Sequence, residues 1–141
     1  MAEIHMLGVS EFKAALERSV ARQAAASREA VAKGAHTIEF YAKQQLSIGS
    51  HPKNEPTMSR PGEPPELVSG NLRRSVVVQG PTGSGTEFTA KVGPTAIYGR
   101  IQELGGWTGH SHLPARPYMK PALADSAGEL RSLFKEAWSQ W

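Results

Sequence analysis

The stretch SEFKAALERSVARQAAASREAVAKGAHTIEFYAKQQLS, residues 10–47, decides the architecture. It holds no Pro and a single Gly, Gly34. Apolar residues recur at Phe12, Leu16, Val20, Ala24, Val31, Ala35, Ile38, Ala42 and Leu46, close to the period of a helix. Ser10 is placed to act as the N-cap, and Glu11 to meet the positive end of the helix dipole. Glu29 with Lys33 and Glu39 with Lys43 add helix-supporting pairs in the favoured order. Unbroken, such a helix would measure about 57 Å. A compact chain of 141 residues has a diameter of roughly 37 Å. The helix is too long for its own body. Either it bends or breaks at Gly34, or it overhangs and packs on a neighbouring subunit; the overhang is the expectation.

Outward from this helix, Gly and Pro divide the chain. All ten Pro and eleven of the fourteen Gly lie between Gly49 and Pro121, so helical ends flank a middle of loops, turns and strands. Residues 48–66, IGSHPKNEPTMSRPGEPPE, carry five Pro and two Gly, a connection of a length that is usually functional or disordered. Residues 67–74 suit a short helix weakened by Gly70. SVVVQG (75–80) and TEFTAKVG (86–93) read as two strands joined through 81–85, with Phe88, Ala90 and Val92 alternating. Residues 96–104 place Ile97, Tyr98, Ile101 and Leu104 on one helical face, turned to the sheet and closed by Gly105 and Gly106. Residues 107–116 form a loop leading into a third short strand. The last helix begins near Pro117 or Pro121, with Met119, Leu123, Leu130, Phe134 and Trp138 as its apolar stripe. The expected fold class is α/β, of the α+β type: one domain over 1–141, with a long N-terminal helix (9–47), a Pro-rich loop (48–66), short helices and strands (67–116) and a C-terminal helix (117–139).

Composition adds a second argument for a partner. Of 55 apolar residues eighteen are Ala, and Leu, Ile, Val and Phe together number only 27. That is a thin core for a self-sufficient domain. With no Cys there is no disulfide framework, thiolate metal site or Cys nucleophile. The first ten residues, MAEIHMLGVS, lack the basic and apolar regions of a signal peptide, and no apolar run is long enough to span a membrane. The net charge of +3 is spread along the chain.

Chemical motifs resolve into structural ones. GPTGSGT (80–86) lacks the Lys that a phosphate loop needs and sits between two strands, so it reads as a hairpin turn. His110 and His112 have no further ligand at metal spacing, and His36 and His51 have no acid or nucleophile at recognisable spacing. No Gly-x-Ser-x-Gly elbow is present. No catalytic residue, cofactor or metal is expected, and a hydrolase using His51 or His110 ranks last. Arg73 and Arg74, with Arg60, Lys53 and Lys91, leave open a small DNA-binding or DNA-packaging accessory protein.

Three stretches read in order carry a resemblance: SRPGEPPELVSGNLRRSV (59–76), GPTAIYGRIQELGG (93–106) and LPARPYMKPAL (113–123). Together they resemble the tail-completion, or neck, proteins of long-tailed bacteriophages, which join the DNA-filled head to the tail. The similarity covers roughly residues 10–140. It implies an α/β fold and a homo-oligomeric ring, six subunits being the expected number. The ring would lie between a head-closure or connector protein and a tail terminator or tail tube protein. Genome DNA would pass through its lumen without sequence-specific binding. The location implied is the virion, after assembly in the host bacterial cytoplasm. Expected subunit or partner contacts are Pro64, Pro65, Arg73, Arg74, Tyr98, Glu103, Arg116 and Trp138, with Arg116 paired to Glu103. Trp138 and Trp141 are candidate partner anchors. The loop WTGHSH (107–112) matches no part of the family pattern.

Overall fold

A computed structural model describes residues 1–3, 6–57 and 59–139. The chain runs α1 (Val9–Gln45), α2 (Asn71–Ser75), β1 (Val76–Ser84), β2 (Glu87–Pro94), α3 (Gly99–Leu104), β3 (Gly106–Trp107), β4 (His112–Leu113) and α4 (Met119–Ser139). The long N-terminal helix, small antiparallel sheet and C-terminal helix of the α+β expectation are all present.

α1 is one helix of 37 residues, about 55 Å long. It does not break at Gly34. Ser10 is not its cap: Gly8 occupies the N-cap position, no side chain caps the helix, and the Ser10 hydroxyl donates to Glu11 at 2.9 Å. α4 lies antiparallel along the second half of α1, as four side-chain contacts show: Thr37 and Tyr41 reach Glu129, Gln45 reaches Asp125, and Trp138 reaches Ser27. Gly34 is what lets the helices approach. A Cβ there would stand 3.0 Å from Leu130 Cδ2.

The inner line of α4 corrects part of the sequence stripe: Met119 packs on the core and Leu130 lies against Gly34, as expected. Ala122 and Ser126 are its buried residues, while Leu123 and Trp138 are exposed. Small residues win the interface because close-packed backbones leave no room for large ones. The same holds on α1, whose buried residues are Ala30, Gly34, Ala35 and Ala42. Ala42, Leu46, Val76, Tyr118 and Ala122 form the core cluster, with Tyr41, Leu72, Val92 and Met119 packed against it.

β1 and β2 form an antiparallel hairpin that packs on α1, in register from Val76↔Pro94 to Ser84↔Glu87. The first strand runs through all of 80–84, so GPTGSGT supplies strand as well as turn. Its register shifts between Gln79 and Thr82, around Pro81, which has no N–H for the ladder. The anticipated third strand does not join this sheet; β3 and β4 form a separate two-residue ribbon. The short helix begins at Asn71 rather than 67, because Leu67 is bridged to Ser50 and Gly70, at φ 75°, forms the N-cap. α3 begins at Gly99, not 96, and Ile97, Tyr98 and Leu104 are exposed rather than turned to the sheet. The Pro-rich connection is laid on the body within one chain: the Gly62 amide donates to the Ala115 carbonyl at 2.8 Å and Leu67 to Gly49 at 2.7 Å.

Candidate functional site

The segments 59–76, 93–106 and 113–123 meet in one hydrogen-bonded junction. Its centre is Glu103, at the end of α3. One carboxylate oxygen accepts from the amides of Tyr118 and Met119 at 2.7 and 2.9 Å, and the other from Lys120 at 3.0 Å. A helix begins with four amides that lack intrahelical partners. Here Glu103 takes three of them and Pro121 follows with no N–H at all. The first α4 bond is then Ala122 to the Tyr118 carbonyl, at 3.3 Å. The charge of Glu103 also faces the positive end of the α4 dipole.

This geometry corrects the expected Glu103–Arg116 pair. Glu103 is spent on backbone donors, and Arg116 points elsewhere, donating from Nη2 to the Ser59 carbonyl at 3.3 Å. The Arg116 backbone donates to Gln102 at 2.7 Å, tying both ends of the β3–β4 excursion together. Gly105, at φ 68°, allows that closure, because a Cβ would stand 2.7 Å from the Ala115 nitrogen. Tyr118 is fully buried and donates to the Gly99 carbonyl at 3.1 Å. Burial first, then the charge of Glu103, then Tyr98, pushes its phenol above the usual tyrosine range. Gln102 Oε1 and Arg116 Nε are buried without a hydrogen-bond partner among the described residues.

Six of the eight candidate residues belong to this end of the molecule. The Pro64 carbonyl accepts from Ser59 Oγ at 2.8 Å. Pro65, Arg73 and Tyr98 line one hollow of about 160 Å³ with Leu46, Leu67 and Gln102. Glu103 and Arg116 stand in the junction itself. Arg74 lies just outside, bonded to Asn71 at 2.6 Å, while Arg73 reaches Ser47 at 3.0 Å. Both arginines border a larger hollow of about 520 Å³ with Phe40 and Lys43. Trp138 is elsewhere: it stands beside Ser27 with its ring 5.9 Å from Phe134. Trp141 lies outside the described residues.

Sequence reasoning missed one surface. Phe12, Leu16 and Val20, read from the sequence only as part of the apolar period of a helix expected to overhang, are 69%, 55% and 54% exposed. No residue type marked it, since large apolar residues and Ala occur in both halves of α1 and only the course of α4 decides which half is covered.

His110 is exposed in the β3–β4 excursion and His112 is exposed on β4. Among the described residues no group of three or more His, Asp or Glu could hold a metal, and no helix is long and apolar enough to cross a membrane. Comparison with known protein families, curated proteins and solved structures finds no match to this chain.

Proposed function

We propose that this protein is a non-enzymatic structural component of a bacteriophage virion, joining head to tail as a ring around the DNA channel. The observation that carries the reading is the junction. The three stretches whose order and spacing resemble the neck family, separated by up to 36 residues in sequence, form one hydrogen-bonded unit centred on Glu103. Residues that hold shape in this way suit a scaffold. The thin, Ala-built core and the uncovered half of α1 further support a protein that works in contact with other subunits.

In this reading a head-closure or connector protein lies on one side of the ring and a tail terminator or tube protein on the other. Pro65, Arg73 and Tyr98 offer them a shared surface. Six copies is the proposed number. The decisive experiment blocks the gene in its parent phage and images the lysate by electron microscopy. DNA-filled heads beside separate finished tails are expected; normal infectious particles would refute the joining role.

A second reading, a small DNA-binding or packaging accessory, draws on the hollow where Lys43, Arg73 and Arg74 surround an exposed Phe40. Cations beside an aromatic ring suit a nucleic-acid backbone with an unstacked base. Binding of purified protein to DNA that falls steeply with salt, and that Arg73→Ala and Arg74→Ala together abolish, would favour it.

A further inference from the structure

We infer that two copies of this chain pair antiparallel through the first half of α1, with Leu16 of each copy on the two-fold axis. The contact goes beyond the ring reading. A closed ring joins two different surfaces, whereas this one is self-complementary and forms in the free protein.

The argument starts from the face that α4 covers. Positions 27, 34, 37, 41 and 45 of α1 meet α4. Continued toward the N-terminus in steps of three or four, the same line passes through Gln23, Val20, Leu16, Phe12 and Val9. The described part of α4 reaches Ser27 through Trp138, and beyond it Val20, Leu16, Phe12 and Val9 on this line are exposed. What belongs there is a helix in the place α4 has vacated.

The first half of a second α1 fits that place in length. In an antiparallel pair centred on Leu16, Phe12 faces Val20 of the other copy and Val9 faces its Gln23. The incoming helix therefore ends just short of the site where Trp138 meets Ser27. Leu7, also exposed, then comes beside the Phe134–Trp138 end of α4. A parallel pair is excluded, because both α4 helices would have to occupy the same space between the two α1 helices.

Charge follows the same symmetry. One edge of the line carries Lys13 and Glu17, the other the small uncharged residues Ala15 and Ser19. Among the described residues neither Lys13 nor Glu17 is in an ion pair within its own chain. An antiparallel two-fold sets each edge against its own reverse. Lys13 then approaches Glu17 of the partner copy, while Ala15 and Ser19 set no like charges against each other on the second edge.

The chain has no Cys, so single-cysteine variants report the register directly. Light scattering after size exclusion of the purified chain, at tens of micromolar, is expected to give twice 15.2 kDa. Leu16→Asp is expected to return it to one copy with unchanged helical circular dichroism. Leu16→Cys should oxidise to a covalent dimer. Phe12→Cys should not do so alone, but should when mixed with Val20→Cys. A single-copy mass for the unmodified chain would overturn the inference and leave the face to a head or tail protein. A dimer that survives Leu16→Asp, or Phe12→Cys linking to itself as readily as Leu16→Cys, would overturn it too. These readings need no phage particle, so their failure leaves the lysate experiment untouched.

Discussion

The two halves of α1 share one helix and one apolar period, yet they handle side-chain size in opposite ways. Residues 27–45 bury Ala30, Gly34, Ala35 and Ala42 against α4 and the hairpin. Residues 9–26 hold out Phe12, Leu16 and Val20 to solvent. Small residues are selected where backbones must come close, and large ones where apolar area is kept for another surface. The thin core implied by composition has this origin: much of the large apolar inventory lies outside the core.

That contrast can be broken by the same Leu→Ala change at Leu46, which caps α1, and at Leu16 within its first half. Leu46→Ala, at a site 3% exposed, should cost about 2–5 kcal/mol in chemical denaturation. Gly34→Val tests the close approach itself. With Leu130 Cδ2 3.0 Å from the new Cβ, α4 must shift, and a loss of about 1–3 kcal/mol is expected.

Tyr118 sharpens the same comparison through pH. Its folded-state phenol is held above the usual value by burial and by Glu103. Between the unfolded value near ~10 and the raised folded one, the folded chain retains a proton that the unfolded chain loses. Stability from Tyr118 is therefore complete below the unfolded value. It falls by at most about 1.4 kcal/mol per pH unit above it. Denaturation midpoints from pH 9 to 11 would show this, and Tyr118→Phe should flatten the slope.

Glu103→Ala removes the acceptor of three amides and should cost about 1–2 kcal/mol, with no rescue by charge reversal at Arg116. The smallest effect belongs to Leu16→Ala. Measured at sub-micromolar concentration, where the chain stands alone, it should change stability by less than about 0.5 kcal/mol.

The long helix, the hairpin and the C-terminal helix were legible because Pro and Gly punctuate the chain and the helical period is strong. The inner faces were less so. Ranking α4 by hydrophobicity selected Leu123 and Trp138, whereas the contact uses Ala122 and Ser126. The residues of the junction were legible as a group, but its wiring was not. Glu103 and Arg116 have opposite charges and suggest each other, yet the stronger demand on Glu103 comes from backbone amides. Those amides are present at every position, so no residue type marks them. Trp138 was expected among the subunit or partner contacts, and only the direction of α4 shows that it stands away from the others, beside Ser27.

The closure between Gln102 and Arg116 has a consequence for how this sequence can change. The excursion between them leaves and re-enters the body through one narrow gate, latched by a 2.7 Å bond and by the Glu103 contacts just beyond it. Its tip, where Thr108 and Ser111 bond to each other, is exposed. Lengthening or rewriting the tip transmits little strain through such a gate. WTGHSH thus behaves as an exchangeable cassette, free to diverge while the frame around it stays fixed, and a short epitope inserted at Gly109 would be displayed without disturbing the fold.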